Sequence, residues 1–205
     1  MKHTKVKELL NSTSTLNEIN AKGWVRTFRN NQFIALNDGS TINNIQCVVD
    51  FENTSEETLK RITTGAAISV TGALVESQGA GQKYEIQVSK LEILGDCDAE
   101  KFPIQPKNKP SLDFLRENAH LRARTNMFGA IMRVRSVLSF AVHNYFQEKG
   151  FVYVNTPIIT GSDAEGAGEM FKVTALPFDN TPRTEDGKVN YKEDFFGKET
   201  NLTVS

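Results

Sequence analysis

An aromatic ring and a carboxamide stand out in the first half of the chain, because alternation places both on one side of a predicted strand pair. Ile34 and Leu36 alternate with Phe33, and a second alternating run turns Gln46 away from its aliphatic neighbours. If the aliphatic side chains form a core, Phe33 and Gln46 both point outward from adjacent strands. A ring can stack on an unpaired base, and an amide can hydrogen-bond the edge of that base. The pair indicates a site for single-stranded nucleic acid.

Two arginines on the preceding strand, Arg26 and Arg29, could bind the backbone of such a nucleic acid. The alternative is that Phe33 only covers the edge of the core and that Gln46 is an ordinary surface residue. Single apolar side chains on a surface are normal. The pattern by itself therefore leaves both interpretations open.

A second candidate site is the glycine- and acid-rich loop 161–169. It contains the carboxylates of Asp163, Glu165 and Glu169 among small residues that allow movement. Such a loop could close over a ligand and offer a carboxylate to an ammonium group, or it could be a mobile surface loop. It has neither the Gly-x-Gly-x-x-Gly pattern nor a Walker lysine, so a standard phosphate cradle is excluded.

Other reactive residue types predict no site. The three histidines lack a cysteine or second histidine at metal-ligand spacing, and neither cysteine has a neighbouring base. Two cysteines in 205 residues argue against a disulfide framework. No apolar run reaches the roughly 20 residues of a membrane span, and no secretory segment is visible. We therefore expect a cytoplasmic location and no membrane partner.

Charge is unevenly distributed along the chain. The net charge is −1, but residues 101–135 contain eight basic and two acidic side chains. A local excess of this size could meet phosphate groups. A solvated surface with some ion pairs explains the same count equally well.

The elements that must position Phe33 and Gln46 form an all-β unit over residues 18–95. Turn residues separate five predicted strands, at 21–29, 33–37, 42–51, 66–76 and 83–94. A short helix follows the third strand, with Thr54 and Glu57 as a capping box, and a bulge is expected near Ser89. Five strands with a helix between the third and fourth is the order of an OB-fold barrel.

The second half of the chain starts with a proline-containing linker at 96–112. A helical stripe then predicts a long helix at about 126–149, which Gly150 is placed to end. Residues 151–154 and 202–205 have strand-like patterns, the latter without a following partner. The chain therefore looks like a segment cut from within a domain.

These motifs, taken in order, resemble those of class II aminoacyl-tRNA synthetases of the aspartyl, asparaginyl and lysyl subgroup. Residues 23–26 with Phe33 and Gln46 resemble the anticodon-binding OB domain. The long helix with residues 150–157 resembles motif 1 of class II catalytic domains. Segments 165–171 and 194–199 resemble the asparaginyl branch specifically.

The resemblance implies a role for each matching residue. Phe33 would stack on an anticodon base, and Gln46 would hydrogen-bond the central uridine with Arg29 assisting. In the amino-acid pocket, Glu165 would receive the substrate ammonium group and Ser205 would line the wall. Pro157, with its preceding helix, would lie at a homodimer interface.

The implied reaction joins asparagine to tRNA(Asn) through asparaginyl-adenylate, with ATP and Mg²⁺ as substrate and metal. The arginines of motifs 2 and 3 would lie beyond Ser205, and this chemistry depends on positioned cations. We therefore expect no catalytic residue within the 205 residues. The segment alone is expected to be an inactive part of a longer enzyme.

The resulting fold class is α+β: a five-stranded OB barrel followed by the start of a class II catalytic domain. The expected division is an N-terminal segment at 1–17, an anticodon domain at 18–95, a hinge at 96–119 and a catalytic portion at 120–205. Two alternatives stay open. One is a binding module without catalysis, and the other is a synthetase-like enzyme that makes free asparagine.

Overall fold

The computed structural model describes residues 2–79, 81–106, 110–163, 166 and 169–203. The chain divides into two compact units, Met1–Phe140 and Ala141–Ser205. The predicted Glu165 and Ser205 lie outside the described residues. No helix in the described part of the chain combines the length and apolarity needed to cross a membrane.

The first unit is built around a closed five-stranded barrel. Its strands run in the spatial order β1-β2-β3-β5-β4, and β4 also pairs with β1. All pairs are antiparallel except β3 with β5. The strands and helices are α1 (Val6–Leu10), β1 (Leu16–Arg29), β2 (Phe33–Asn37), β3 (Ile45–Val48), α2 (Glu56–Arg61), β4 (Ala67–Glu76), β5 (Tyr84–Gly95), α3 (Leu112–Glu117) and α4 (Asn126–Glu148). The predicted OB-fold order is confirmed.

The barrel core consists of the aliphatic side chains that alternation assigned to one face. Ile34, Leu36, Ile45 and Cys47 have no solvent exposure. Helix α1 contributes Val6 and Leu9 to the same cluster, although they precede the predicted barrel boundary. Because the inward face of β2 and β3 is fully apolar, their alternate residues are directed outward.

Two of the register shifts in β1 and β5 determine the directions of side chains near the site. Val25 pairs with Leu36 and Thr27 with Ala35, so Arg26 is an extra residue in β1. In β5 the register shifts between Lys90 and Val88, which confirms the bulge predicted near Ser89.

At the second of these bulges the two backbones approach closely. A Cβ atom on Gly72 of β4 would lie 2.0 Å from the carbonyl oxygen of Gln87 on β5. Non-bonded carbon and oxygen atoms cannot come so close. Position 72 therefore requires glycine.

Two local predictions in the barrel are wrong in detail. The side chain that caps α2 is Ser55, whose hydroxyl accepts from the Thr58 amide, whereas the Thr54 hydroxyl donates to the carbonyl of Asp50. Strand β3 is shorter than predicted because its preceding residues form turns that bond the Asn37 amide.

Helix α4 confirms the predicted long helix, and Gly150 follows it with a φ of +83°. No side chain of α4 is buried. Residues 151–154 belong to no strand, and their side chains are exposed. The strand predicted there is wrong for this chain, because a strand needs a hydrogen-bonded neighbour and none of the described residues supplies one.

The second unit contains a small three-stranded sheet of β6 (Ile159–Thr160), β7 (Lys172–Val173) and β8 (Thr200–Leu202). Strand β8 lies in the middle. The Asp194 carboxylate, 8% exposed, accepts hydrogen bonds from the Thr174 hydroxyl and the Ala175 and Phe195 amides. Local hydrogen bonds of this kind organise the turns between the strands.

Candidate nucleic-acid interface

Four side chains from four strands share one outward surface of the barrel, which we call the outer β-face: Arg29, Phe33, Gln46 and Glu85. Arg29 pairs directly with Phe33 across the β1–β2 hairpin. On β3, Gln46 pairs with Ala35 and Val48 pairs with Phe33, so Gln46 lies two residues before the residue that faces Phe33. Phe33 and Gln46 are thus diagonal neighbours, with a typical separation of roughly 7–8 Å.

The exposure of Phe33 and Gln46 suits a contact surface. Both side chains are half-buried, whereas Arg29 is exposed at the edge of the same surface. The structure therefore brings together the ring and the amide that alternation placed on one face. Their role in binding nucleic acid stays a prediction.

Glu85 is the member of the outer β-face that the sequence did not reveal. It lies on β5, is 6% exposed, and accepts a hydrogen bond from Gln46 Nε2 at 3.1 Å. The Ser77 hydroxyl donates to the same oxygen at 2.9 Å, and Gln87 Nε2 donates to the other at 3.3 Å. Hydrogen bonds to an ionised group are among the stronger ones in proteins. The carboxylate therefore fixes the orientation of the Gln46 amide.

A signal for Glu85 does exist in the sequence. Tyr84 and Ile86 alternate with Glu85 along the predicted strand, which assigns Glu85 to the opposite, outward face. The structure agrees, because Tyr84 and Ile86 are buried. Its neighbour Gln46 is 39 residues away and is reached through the parallel pairing of β3 with β5. Only the barrel topology identifies that contact.

Arg26 has partners other than those expected of a residue that binds the anticodon. Because it is the bulged residue of β1, its guanidinium is directed to the segment before α4. There it donates to the carbonyl of Arg124 and, at 3.1 Å, to Asn126 Oδ1. The sequence placed Arg26 only on the first strand and assigned its side chain no direction, and a bulge shifts the phase of a strand by one residue.

The other residues predicted from the sequence make few contacts that define a site. Pro157 is exposed in the unpaired stretch after α4. In the acid-rich loop, the Asp163 carboxylate accepts from the Gly166 amide at 2.8 Å. Over the described ranges, no three His, Cys, Asp or Glu side chains come together in a way that could hold a metal ion.

Comparisons with known families agree with this architecture. Residues 19–94 match the model of the OB-fold nucleic acid binding domain, and residues 111–180 match that of the class II tRNA synthetases (D, K and N). A nucleic-acid-binding barrel followed by a class II synthetase segment defines the class of protein.

Curated relatives and solved structures narrow the class. The chain is 56% identical to the asparagine–tRNA ligase of Cytophaga hutchinsonii and 53% identical to that of Porphyromonas gingivalis strain W83, and each match covers 100% of the chain. Over its whole length the chain is homologous to asparagine–tRNA ligases. It spans 45% and 44% of the lengths of these two relatives.

The same fold occurs in solved asparaginyl-tRNA synthetases. The enzyme from Pyrococcus horikoshii, in complex with asparaginyl-adenylate, matches with a TM-score of 0.75 at 24% identity, over 100% of this chain and 43% of its own. The Entamoeba histolytica enzyme, with the same adenylate, matches with a TM-score of 0.68 at 20% identity, over 92% and 40%. At these identities the likeness concerns the fold.

Proposed function

We propose that this chain is the anticodon-binding barrel and the beginning of the catalytic part of an asparagine–tRNA ligase. The complete enzyme joins asparagine to ATP, giving asparaginyl-adenylate and pyrophosphate, and then transfers the asparaginyl group to the terminal ribose of tRNA(Asn) with release of AMP. The observation that supports this most directly is 51–56% identity, over essentially the whole chain, to asparagine–tRNA ligases.

The outer β-face performs anticodon recognition in this proposal. Phe33 stacks on one unpaired base, a contact worth about 1–3 kcal/mol. Arg29, exposed directly opposite Phe33, binds a phosphate of the same loop. The closed barrel supports both residues on paired strands, so their separation is fixed before RNA binds.

Gln46 reads the central base through the orientation that Glu85 imposes on its amide. A free carboxamide can rotate, so it presents its donor and acceptor in either order and can match uracil or cytosine. The 3.1 Å bond from Nε2 to Glu85 uses one amide hydrogen and fixes which side of the group is the carbonyl. The remaining N–H and the carbonyl can then pair with one carbonyl and the N3–H of uracil. Cytosine requires the opposite order.

In the catalytic portion, the proposal assigns Glu165 to the substrate ammonium group, Ser205 to the wall of the amino-acid pocket and Pro157 to a homodimer interface. ATP enters with Mg²⁺ as a substrate complex. The described residues offer no cluster of metal ligands, so we assign none of them to Mg²⁺ and derive no step through it. A cytoplasmic location fits this function.

The first experiment measures charging by the product of the complete reading frame. We expect asparagine, and neither aspartate nor lysine, to support pyrophosphate exchange and to be transferred to tRNA(Asn). Exchange that depends on aspartate would contradict the proposal. Release of free asparagine without tRNA would instead favour the enzyme that makes asparagine.

The second experiment measures binding of labelled anticodon stem-loops. Phe33→Ala should weaken binding by about 1–3 kcal/mol, because the stacking surface is removed. Phe195→Ala, which removes an exposed ring from the second unit, is the matched control and should leave binding unchanged. Equal binding by the wild type and Phe33→Ala would remove Phe33 from the site. Affinity that ignores the central base would indicate a sequence-tolerant binding module.

A further inference from the structure

The bulge at Arg26 places a basic side chain where the barrel meets the start of α4. Arg26 is half-buried and donates to the Arg124 carbonyl and to Asn126, the first residue of α4. The Arg124 guanidinium in turn lies over the ring of Trp24, 4.2 Å from its centroid. A strand of the barrel and the beginning of the helix are thus joined by two reciprocal contacts.

A third contact joins the same helix to the loop between β2 and β3. Arg133, two turns along α4, donates to the carbonyl of Gly39 at 2.7 Å. Asp38 in that loop accepts from the Val6 amide of α1, so the loop is itself fixed to the barrel. We call Trp24, Arg26, Arg124 and Arg133 the barrel–helix clamp.

Helix α4 packs little against the described part of the barrel. The helix has no buried side chain, and a cavity of about 840 Å³ lies beside the clamp, lined in part by Phe102 and Ile104 of the linker. Polar contacts of a few side chains therefore determine the position of the helix start. Removal of one or two of them should change that position.

The clamp is poorly explained as a source of stability alone. Burial and the neighbouring charge of Arg124 lower the pKa of Arg26, which means that the site disfavours its charged form. The N-terminal end of a helix also repels cations, and the first turn of α4 has no acidic residue. A directional role for Arg26 accounts better for a charged residue in such a place.

We infer that the barrel–helix clamp is a set of positioning residues that fixes the outer β-face relative to α4, so that a tRNA bound at its anticodon presents its acceptor end correctly for aminoacylation. This inference rests on the proposed function. None of the four residues touches the reacting atoms. They act by fixing the distance and angle between two contacts of one tRNA, the anticodon at the outer β-face and the acceptor end. A small displacement of either contact can change the charging rate strongly.

The test uses the product of the complete reading frame and three measurements: kcat/KM for tRNA charging, asparagine-dependent pyrophosphate exchange, and affinity for an anticodon stem-loop. In the double variant Trp24→Ala with Arg26→Ala, charging should fall by about 10- to 100-fold. Exchange and stem-loop affinity should stay within about twofold of wild type, the range of neutral surface substitutions. Those two values also show that both parts remain folded.

Two further variants separate positioning from general damage. The single variant Trp24→Phe keeps a ring beneath Arg124 and retains Arg26, so it should keep most of the wild-type charging rate. Arg116→Ala removes an exposed arginine from the same basic stretch, one that pairs with Asp113, and should leave all three measurements unchanged.

Each outcome decides the matter. If the double variant charges tRNA at the wild-type rate, the inference that the barrel–helix clamp positions tRNA is wrong. Loss of stem-loop affinity equal to the loss of charging would also overturn it and would return Arg26 to the anticodon contacts expected from sequence. If the wild-type protein neither charges nor binds tRNA, the proposed function fails and the clamp's role fails with it.

Discussion

The barrel and residues 141–205 differ in what holds each of them in shape. The barrel closes on itself around a continuous apolar core with fully buried members on all five strands. In the described part of the second unit only Leu176, Asp194 and Thr200 are buried, and the three strands are two or three residues long. The first region depends on packing, and the second on local hydrogen bonds. The two should therefore respond to different perturbations.

The largest effect is expected where barrel backbones touch. Gly72→Ala places a Cβ against the Gln87 carbonyl and should lower the free energy of unfolding by about 3 kcal/mol. Trp24 is the single tryptophan of the chain, so its fluorescence during urea denaturation reports the barrel.

Gly129→Ala in α4 is the matched control, because its Cβ would meet the nearest atom at 3.6 Å. Alanine is the better helix former by about 1 kcal/mol, so this variant should unfold no more readily than wild type. Equal destabilisation by both substitutions would show that the close approach at Gly72 is relaxed in solution.

An intermediate effect is expected on the outer β-face. Glu85→Gln replaces the charged acceptor of the Gln46 amide and should reduce discrimination between uridine and cytidine at the central anticodon position by about 1–2 kcal/mol. Stem-loops that differ only at that base provide the measurement. Glu92→Gln, on an exposed position of the same strand, should leave discrimination intact. Unaltered discrimination in Glu85→Gln would show that Gln46 is oriented by other groups.

The smallest effect is expected in the second unit under acid. Hydrogen bonds from the Thr174 hydroxyl, and then from the Ala175 and Phe195 amides, hold the pKa of Asp194 below its usual value. A depressed carboxylate pKa stabilises the fold above the unfolded value of about 3.9, and this contribution is lost as pH falls through the folded pKa.

Amide NMR signals of Ala175 and Phe195 give the measurement. They should shift with a common midpoint below about 3.9, and Asp194→Asn should abolish that transition. Asp179→Asn, at an exposed site in the same unit, should preserve it. A midpoint at or above the ordinary aspartate value would contradict the hydrogen-bonded arrangement.

The sequence predicted the barrel well because half-buried strands alternate visibly. Phe33 and Gln46 were placed on one face for this reason, and the bulge at Ser89 was found because the apolar phase changes there. The direction of Arg26 was not predicted, since the residues around it carry no comparable change of phase that would reveal the bulge. Glu85 was missed because its contact crosses a parallel strand pair, and alternation describes one strand at a time.

Outside the barrel, prediction succeeded only for elements that are stable by their own periodicity. Helix α4 has a continuous apolar stripe and was located to within one residue at its end. Residues 151–154 have strand composition, but pairing is a property of two segments and composition describes one. The adjacent hydroxyls of Thr54 and Ser55 likewise look equivalent in sequence, and only the backbone selects Ser55 as the cap.

Cys47 is completely buried in the barrel, so its reaction with a thiol reagent can report opening of the barrel. Burial raises the pKa of this thiol and shields it from reagents, whereas Cys97 is partly accessible. An alkylating reagent should thus modify Cys97 first and reach Cys47 only during transient opening of the strands around it. The difference between the two modification rates would measure how often the barrel opens around Cys47, with no label introduced into the protein.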